Sequence, residues 1–208
     1  MSWCSDMHGD GPLMRDRDIR LKLASTSLRR HRHQADTVIL HEFGINHGSN
    51  RVDIAVINGK FVGFEIKSDT DNLNRLKVQA EAYSQVFDLM TLVCVEKFVP
   101  QAIDIVPEWW GLKVPLSGKR CAITDFRTER RAAPNPSVDT LAVARLLWKS
   151  EVISALELVA GITRGVRSKP REQLYELLVA TAPRLELLRF VRQAIKARRD
   201  WRPDAQRT

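Results

Sequence analysis

Two acidic residues and a lysine interrupt stretches that otherwise read as buried strands. Residues 51–57 have the sequence RVDIAVI and residues 60–68 the sequence KFVGFEIKS, so that Asp53, Glu65 and Lys67 stand among apolar neighbours. An isolated carboxylate on a buried strand is costly unless it is paired or binds a cation. Glu65 and Lys67 are two residues apart and therefore share one face of their strand. Either they form an ion pair at a sheet edge, or they belong to a functional site.

These residue types are the components of a divalent-metal site. Mg²⁺ takes oxygen ligands, and Asp53 and Glu65 would supply two of them. The carbonyl of Ile66 is a plausible third ligand, and Glu42 is a further acid that could face the same cavity. Lys67 would activate an attacking water or stabilise negative charge on a phosphate. The spacing by itself is weak, because an Asp followed by Glu-x-Lys within thirty residues is expected about once in a chain of this length.

The apolar periodicity predicts an α-β-β-β-α-β core that would position these side chains. The predicted helices and strands are 16–33 (helix), 37–43, 51–57 and 60–68 (strands), 70–87 (helix) and 89–96 (strand). Further elements follow near 99–105, 109–114 and 121–126, and then helices at 140–160, 168–181 and 184–200. The predicted fold class is α/β, with a mixed central sheet flanked by helices and an all-helical C-terminal extension.

The helix predicted at 70–87 carries both an apolar and a polar row. The apolar stripe consists of Leu76, Ala80, Tyr83 and Phe87. Arg75, Gln79 and Tyr83 recur every four residues and so lie along one face. Asp71 is the predicted N-cap.

The turn at Asn58-Gly59 decides whether the two acids can meet. With a two-residue turn, Asp53 would lie opposite Phe64, and the two carboxylates would point to opposite faces of the sheet. We therefore hypothesise either a three-residue loop over residues 58–60 or a β-bulge.

The order of these residues resembles a known superfamily. Asp53, the run Glu65-Ile66-Lys67 and the helical pair Gln79 and Tyr83 together resemble the PD-(D/E)XK nuclease superfamily, and the Q-x-x-x-Y helix is similar to the branch with RecB-type nuclease domains. The block from residue 51 to 96 resembles a small bacterial group within that superfamily.

The resemblance implies a restriction-endonuclease-like core and a nuclease activity. The acids would bind Mg²⁺, with Mn²⁺ as an alternative ion, and the lysine would assist attack of water on a DNA phosphodiester. Catalytic roles would fall on Asp53, Glu65, Lys67, Gln79 and Tyr83. Val52 stands where the family name has proline. The predicted function is therefore a Mg²⁺-dependent DNA nuclease, with a non-catalytic DNA-binding or partner-binding module of the same fold as the alternative.

Positive charge is concentrated at the C-terminal end. The chain of 208 residues has a net charge of +8, and residues 141–208 carry 14 Lys and Arg against 7 Asp and Glu. This distribution indicates a polyanionic partner, most readily DNA, or alternatively a solvated helical surface. The predicted nucleic-acid-binding residues are Arg51, Arg75, Arg164, Arg167, Lys169 and Arg171.

The helical extension has two compatible interpretations. Residues 157–178 resemble a SAP-type helix-extended-helix DNA-binding motif. The other interpretation is a helical cap that packs on the sheet through Leu146, Leu147, Trp148 and Ile153.

Composition limits the remaining possibilities. We expect residues 1–14 to be disordered, 15–127 to form the core, 128–138 to be a linker and 139–208 to be the basic extension. No apolar run approaches the roughly 20 residues of a membrane span, so no membrane partner is expected. The three dispersed cysteines, Cys4, Cys94 and Cys121, suit thiols in a reducing compartment. The expected location is cytoplasmic and nucleoid-associated.

Overall fold

One mixed β-sheet of six strands forms the centre of the molecule, in the order β1-β2-β3-β4-β5-β6. The structure is a computed structural model and describes residues 13–118 and 122–198. The strands are β1 (Val38–Ile45), β2 (Asn50–Ile57), β3 (Phe61–Lys67), β4 (Leu89–Cys94), β5 (Gly111–Ser117) and β6 (Ile123–Arg130). This architecture confirms the predicted α/β class.

The strand directions follow from the lengths of the connections. β1, β2 and β3 form an antiparallel meander, whereas β3, β4 and β5 are parallel. Parallel neighbours need a crossover, and the two crossovers contain α3 (Leu76–Ser84) and α4 (Val99–Ile105). β6 returns antiparallel to β5 at the edge. β4 is almost wholly apolar because both of its faces are covered.

Two helices cover one face of the sheet. These are α1 (Asp16–Ser25) and α2 (Arg29–Arg32), and they bury Ile19, Leu23 and Leu28 against β2, β3 and β4. The prediction of one helix over 16–33 is wrong, because the helix ends within the run Ser25-Thr26-Ser27. The hydroxyls of Ser25 and Thr26 both donate to the carbonyl of Lys22, at 3.0 and 2.7 Å, and such local bonds compete with helix continuation.

The opposite face carries α3 and four C-terminal helices in one continuous core. These four are α5 (Thr140–Ala144), α6 (Lys149–Ala160), α7 (Arg171–Thr181) and α8 (Arg184–Ala197). The predicted helix 140–160 is thus two helices. Leu146 and Leu147 are buried as predicted and Ile153 packs against the core, but Trp148 is 47% exposed and lies 4.3 Å from the Arg198 guanidinium.

Several predicted element boundaries differ from the structure. The apolar stripe of α3 is buried as expected, but the helix begins at Leu76 rather than at residue 70. Asp71 is therefore not the N-cap: its carboxylate accepts from the backbone amide of Ser68 at 2.7 Å and shapes the loop after β3. β6 continues to Arg130, and the side-chain amide of Asn135 then donates to the carbonyls of Ser84 and Phe87.

The structure describes only part of each terminus and one of the three cysteines, Cys94. The predicted disorder of residues 1–14 falls mostly on residues outside the described range, as do Cys4 and Cys121. Cys94 is a buried free thiol, and burial raises its pKa to about 12. None of the described helices has the length and apolar character that crossing a membrane requires.

A close approach at Gly111 gives a test of the packing between β5 and the chain after β6. A Cβ at Gly111 would lie 2.8 Å from the backbone nitrogen of Ala132. We expect Gly111→Ala to lower the free energy of unfolding by about 1–3 kcal/mol, as overpacking does. Gly59→Ala is the matched control, because none of the described residues has an atom within 4 Å of its added Cβ. Urea unfolding that gives the same stability for both variants would contradict this packing.

Candidate functional site

The β2–β3 hairpin brings the two predicted acids to one cavity. Ile57 pairs with Phe61, so the connection is the three-residue loop 58–60, and the Asn58 side-chain oxygen accepts from the Lys60 amide at 3.0 Å. This confirms the hypothesis of a three-residue loop. With this register, Asp53 and Glu65 both line one cavity of about 500 Å³ near the C-terminal end of β3.

An irregularity of β1 at Glu42 lies opposite Asp53 of β2. Glu42 has a φ of 52°, a left-handed conformation that is uncommon for a residue with a side chain. Leu40 and Phe43 lie three apart yet both join the main core, so side-chain alternation changes between them. Regular β2–β3 pairing ends next to Asp53, whose Oδ2 accepts from the backbone amide of Ile66 at 2.6 Å.

The cavity contains most of the predicted site residues. Those that line it are Glu42, Arg51, Asp53, Glu65, Ile66, Lys67, Arg75 and Gln79. The structure therefore brings these eight residues together around one cavity. The roles of the individual residues stay predictions.

A buried network joins β3 to α3 behind the cavity. The Lys67 Nζ donates to Glu65 Oε1 at 2.7 Å and to Gln79 Oε1 at 3.0 Å, and Gln79 Nε2 donates to the same Glu65 oxygen at 2.7 Å. Gln79 also donates to the Tyr83 hydroxyl, which donates to the Arg51 carbonyl at 2.5 Å. Glu65 is only 2% exposed, so a solvated ion pair at a sheet edge is excluded.

Arg20 is a central residue that sequence reasoning missed. Its guanidinium donates to Asp16 Oδ2 at 2.6 Å, to Glu42 Oε1 at 2.8 Å and to Asp53 Oδ1 at 2.6 Å. It also donates to the Asp53 carbonyl at 2.8 Å. The signal in the sequence was the pair Asp16 and Arg20, four residues apart on α1, but only the fold shows that this helix end reaches β2.

Burial dominates the electrostatics of both carboxylates. It raises the pKa of Asp53 to about 7; the nearby charge of Glu65 adds to this shift, while Arg20 and the Ile66 amide oppose it. Burial also raises the pKa of Glu65, against the opposing effect of Lys67. Burial and the charge of Glu65 raise the pKa of Tyr83 as well. Added positive charge in the cavity would stabilise both ionised carboxylates.

One carboxylate oxygen in the cavity has the environment expected of a metal ligand. Glu65 Oε2 is buried and accepts no hydrogen bond from the described residues. Within the described ranges, no group of three or more His, Cys, Asp or Glu side chains is arranged to hold a metal. If Asp53, Glu65 and the Ile66 carbonyl held a cation, water would therefore fill most of its coordination positions. That pattern fits Mg²⁺ and not a structural zinc ion.

The predicted basic residues of the C-terminal extension lie outside the cavity. They are Arg164, Arg167, Lys169 and Arg171, on and after the α6–α7 connection. Their neighbour Glu172 lies 3.4 Å from His47 Nε2 and 3.0 Å from Arg145. His47 adjoins Gly48 and Ser49, which line the cavity. The start of α7 therefore lies beside the rim of the site.

The pairing of Lys67 with Glu65 is testable through stability. We expect Lys67→Met to lower the free energy of unfolding by about 3–5 kcal/mol, because it leaves a buried carboxylate without its cation. In the double variant Glu65→Gln/Lys67→Met this loss should be much smaller. Lys97→Met removes one partner of a half-exposed pair with Asp69 and should cost less than about 1 kcal/mol. Equal losses in the Lys67 and Lys97 variants would contradict the buried pairing.

Comparison with known proteins gives a different family from the one expected. A protein-family model described as bacteriophage P4 protein cII matches residues 13–204. Among curated proteins, protein cII of Enterobacteria phage P4 is 34% identical over 89 residues, covering 43% of this chain and 33% of the relative. The aligned segment thus spans about a third of the length of that relative. No solved structure matches the chain.

The family match corrects the sequence interpretation. It spans all the residues that carried the resemblance to the PD-(D/E)XK superfamily, so that assignment is wrong. The predictions of a nuclease, of a hydrolase and of enzymatic activity were drawn from it and are wrong with it. The physical reason is that a few polar residues at short spacings arise readily in any sheet with a buried ion pair. This chain belongs to the bacteriophage P4 protein cII family.

Proposed function

We propose that this protein is a nucleic-acid-binding module whose cavity at the end of β3 holds a divalent cation. The observation that carries the proposal is the buried, unpartnered Oε2 of Glu65, in the same cavity as the exposed residues Arg51 and Arg75. A buried carboxylate oxygen to which none of the described residues donates suits a cation, and neighbouring arginines suit phosphate.

Asp53 and Glu65 are the residues that would hold Mg²⁺, or Mn²⁺ in its place. A bound cation would supply positive charge to a phosphate oxygen at the cavity mouth. Arg20 now neutralises Asp53 at 2.6 Å, and Lys67 neutralises one oxygen of Glu65 at 2.7 Å. The second oxygen of Glu65 is left for a ligand, which supports a cation held mainly from the Glu65 side.

The nucleic acid would cross the cavity mouth and reach the basic α6–α7 connection. Arg51 and Arg75 stand at the cavity, and the contact of Glu172 with His47 brings the start of α7 to its rim. Arginine contacts to phosphate are independent of sequence and depend on salt. We take DNA to be the partner, and a cytoplasmic, nucleoid-associated location is part of the same proposal.

Cation binding can be measured without any other ligand. We expect calorimetry with Mn²⁺ to give one site per chain, weakened more than about tenfold in Glu65→Gln and in Asp53→Asn, since losing even an outer-shell partner costs about 10–100-fold in affinity. Glu96→Gln is the matched control, because Glu96 is an exposed acid that pairs with Arg127 away from the cavity. Circular dichroism would verify folding of each variant. Equal Mn²⁺ affinity in the wild type and in all three variants would contradict the proposed cation site.

Nucleic-acid binding should show a defined salt dependence. For Arg51→Ala/Arg75→Ala we expect weaker binding of a fluorescent DNA 20-mer. The slope of log K against log salt should fall by roughly 2, about 1 for each phosphate that an arginine no longer neutralises. The control is Arg29→Ala/Arg189→Ala, which removes the same amount of charge at exposed positions outside the cavity. Fluorescence anisotropy over a salt series measures the slope. Identical slopes for the two double variants would refute the proposed path.

A further inference from the structure

A second cavity of about 630 Å³ opens on the face of the sheet that α1 and α2 cover. Its floor includes Val62, Phe64 and Leu89, near the N-terminal ends of β3 and β4. The α1–α2 connection and the chain around the end of β6 form its walls. The cation site lies near the other end of β3, so the two cavities are separate.

Among the residues that the structure describes, the lining of the second cavity carries basic side chains and no carboxylate. The Lys and Arg residues of the lining are Arg30, Lys60, Lys113, Arg130 and Arg131, and His31 lies among them. Within residues 13–118 and 122–198, none of the five forms an ion pair with an acid. This differs from the first cavity, where Arg20 and Lys67 are each paired with a carboxylate.

Lys113 is the most informative of these residues. It is half-buried on β5, and among the described residues its Nζ contacts the Ser27 hydroxyl at 3.4 Å and the Phe126 ring, whose centroid is 6.0 Å away. Arg130 differs, because its guanidinium donates to the carbonyls of Trp110 and Pro107 and is held in place. A half-buried ammonium group that has no counter-ion among the described residues favours an anionic ligand.

The remaining residues of the lining favour an organic phosphate over a bare inorganic ion. Thr26, Ser27 and Thr128 contribute hydroxyls, and Asn58 contributes an amide, all of which can bond to phosphate or to a sugar. The apolar floor and the volume exceed what a bare inorganic ion would use, whereas cavities of about 300–1,000 Å³ suit small organic ligands.

We propose that this cavity binds a nucleotide. Its phosphate would lie between Arg30, Lys60, Lys113 and Arg131, and its base would lie against the apolar floor formed by Val62 and Leu89. The shared chemistry is a phosphate ester of a sugar that carries a flat aromatic base. Two sources have that chemistry, a free nucleotide and the 5′-terminal nucleotide of a strand.

The test uses the 208-residue chain and isothermal titration with the four nucleoside monophosphates. We expect saturable binding of at least one of them, with the corresponding nucleoside and inorganic phosphate each at least about tenfold weaker. Lys113→Met and Lys60→Ala should each weaken the nucleotide about tenfold or more. Lys60 lies in the exposed hairpin loop, so its variant tests the site even if Lys113→Met folds poorly.

Two controls separate this site from general effects. Lys149→Ala removes an exposed charge outside the cavity and should leave nucleotide affinity unchanged. Asp53→Asn should also bind the nucleotide like the wild type, since its cavity is the other one. A tetranucleotide with a 5′-phosphate distinguishes the sources. If it binds as tightly as the monophosphate, the ligand is a strand end; weaker binding identifies a free nucleotide.

The proposal is overturned by any of three results. The first is that none of the four nucleotides binds saturably. The second is that the nucleoside or inorganic phosphate binds as tightly as the nucleotide. The third is that Lys60→Ala and Lys113→Met, each correctly folded, bind the nucleotide with wild-type affinity.

Discussion

The three-residue connection between β2 and β3 determines which side of the sheet each residue of β3 faces. Because side chains alternate along a strand, one residue more or fewer in residues 58–60 would exchange the two faces. Glu65 and Lys67 would then meet α1 instead of Gln79, and Phe64 would leave the α1 side for the main core. Both cavities depend on this single register.

A consequence of that register is a pair of carboxylates held largely out of water. Two cations neutralise these carboxylates from opposite sides. Arg20 on α1 pairs with Asp53, and Lys67 on β3 pairs with Glu65. The compensation is incomplete, since one oxygen of Glu65 has no donor among the described residues and burial raises the pKa of both acids. A buried pair of this kind adds little net stability, which agrees with the proposal that the cavity holds a cation.

The two cavities differ in charge although β3 contributes to both. Near the C-terminal end of the strand, acids and bases alternate and pair with each other. On the α1–α2 side the cavity lining is basic, and the described part of the chain supplies no acid to it. The separation follows from chain geometry, because Glu65 and Lys67 project toward α3 while Val62 and Phe64 project toward α1 and α2.

The sequence by itself determined the mixed sheet, the order of its elements and the buried stripe of α3. It placed Asp53, Glu65, Lys67 and Gln79 on successive elements, and the structure brings them to one cavity. Apolar periodicity and strand alternation are local, so they can be read from neighbouring residues. Predictions from local sequence failed where hydroxyl groups ended α1 early, where Asp71 served the loop instead of the helix, and where a short motif resembled a superfamily other than the one that matches the chain. Only the tertiary structure showed that Arg20 reaches Asp53 and that Lys113, Lys60 and Arg131 share a cavity to which the described residues contribute no acid. These pairs join residues tens of positions apart, and such distances are set by how helices pack on a twisted sheet and not by spacing along the chain.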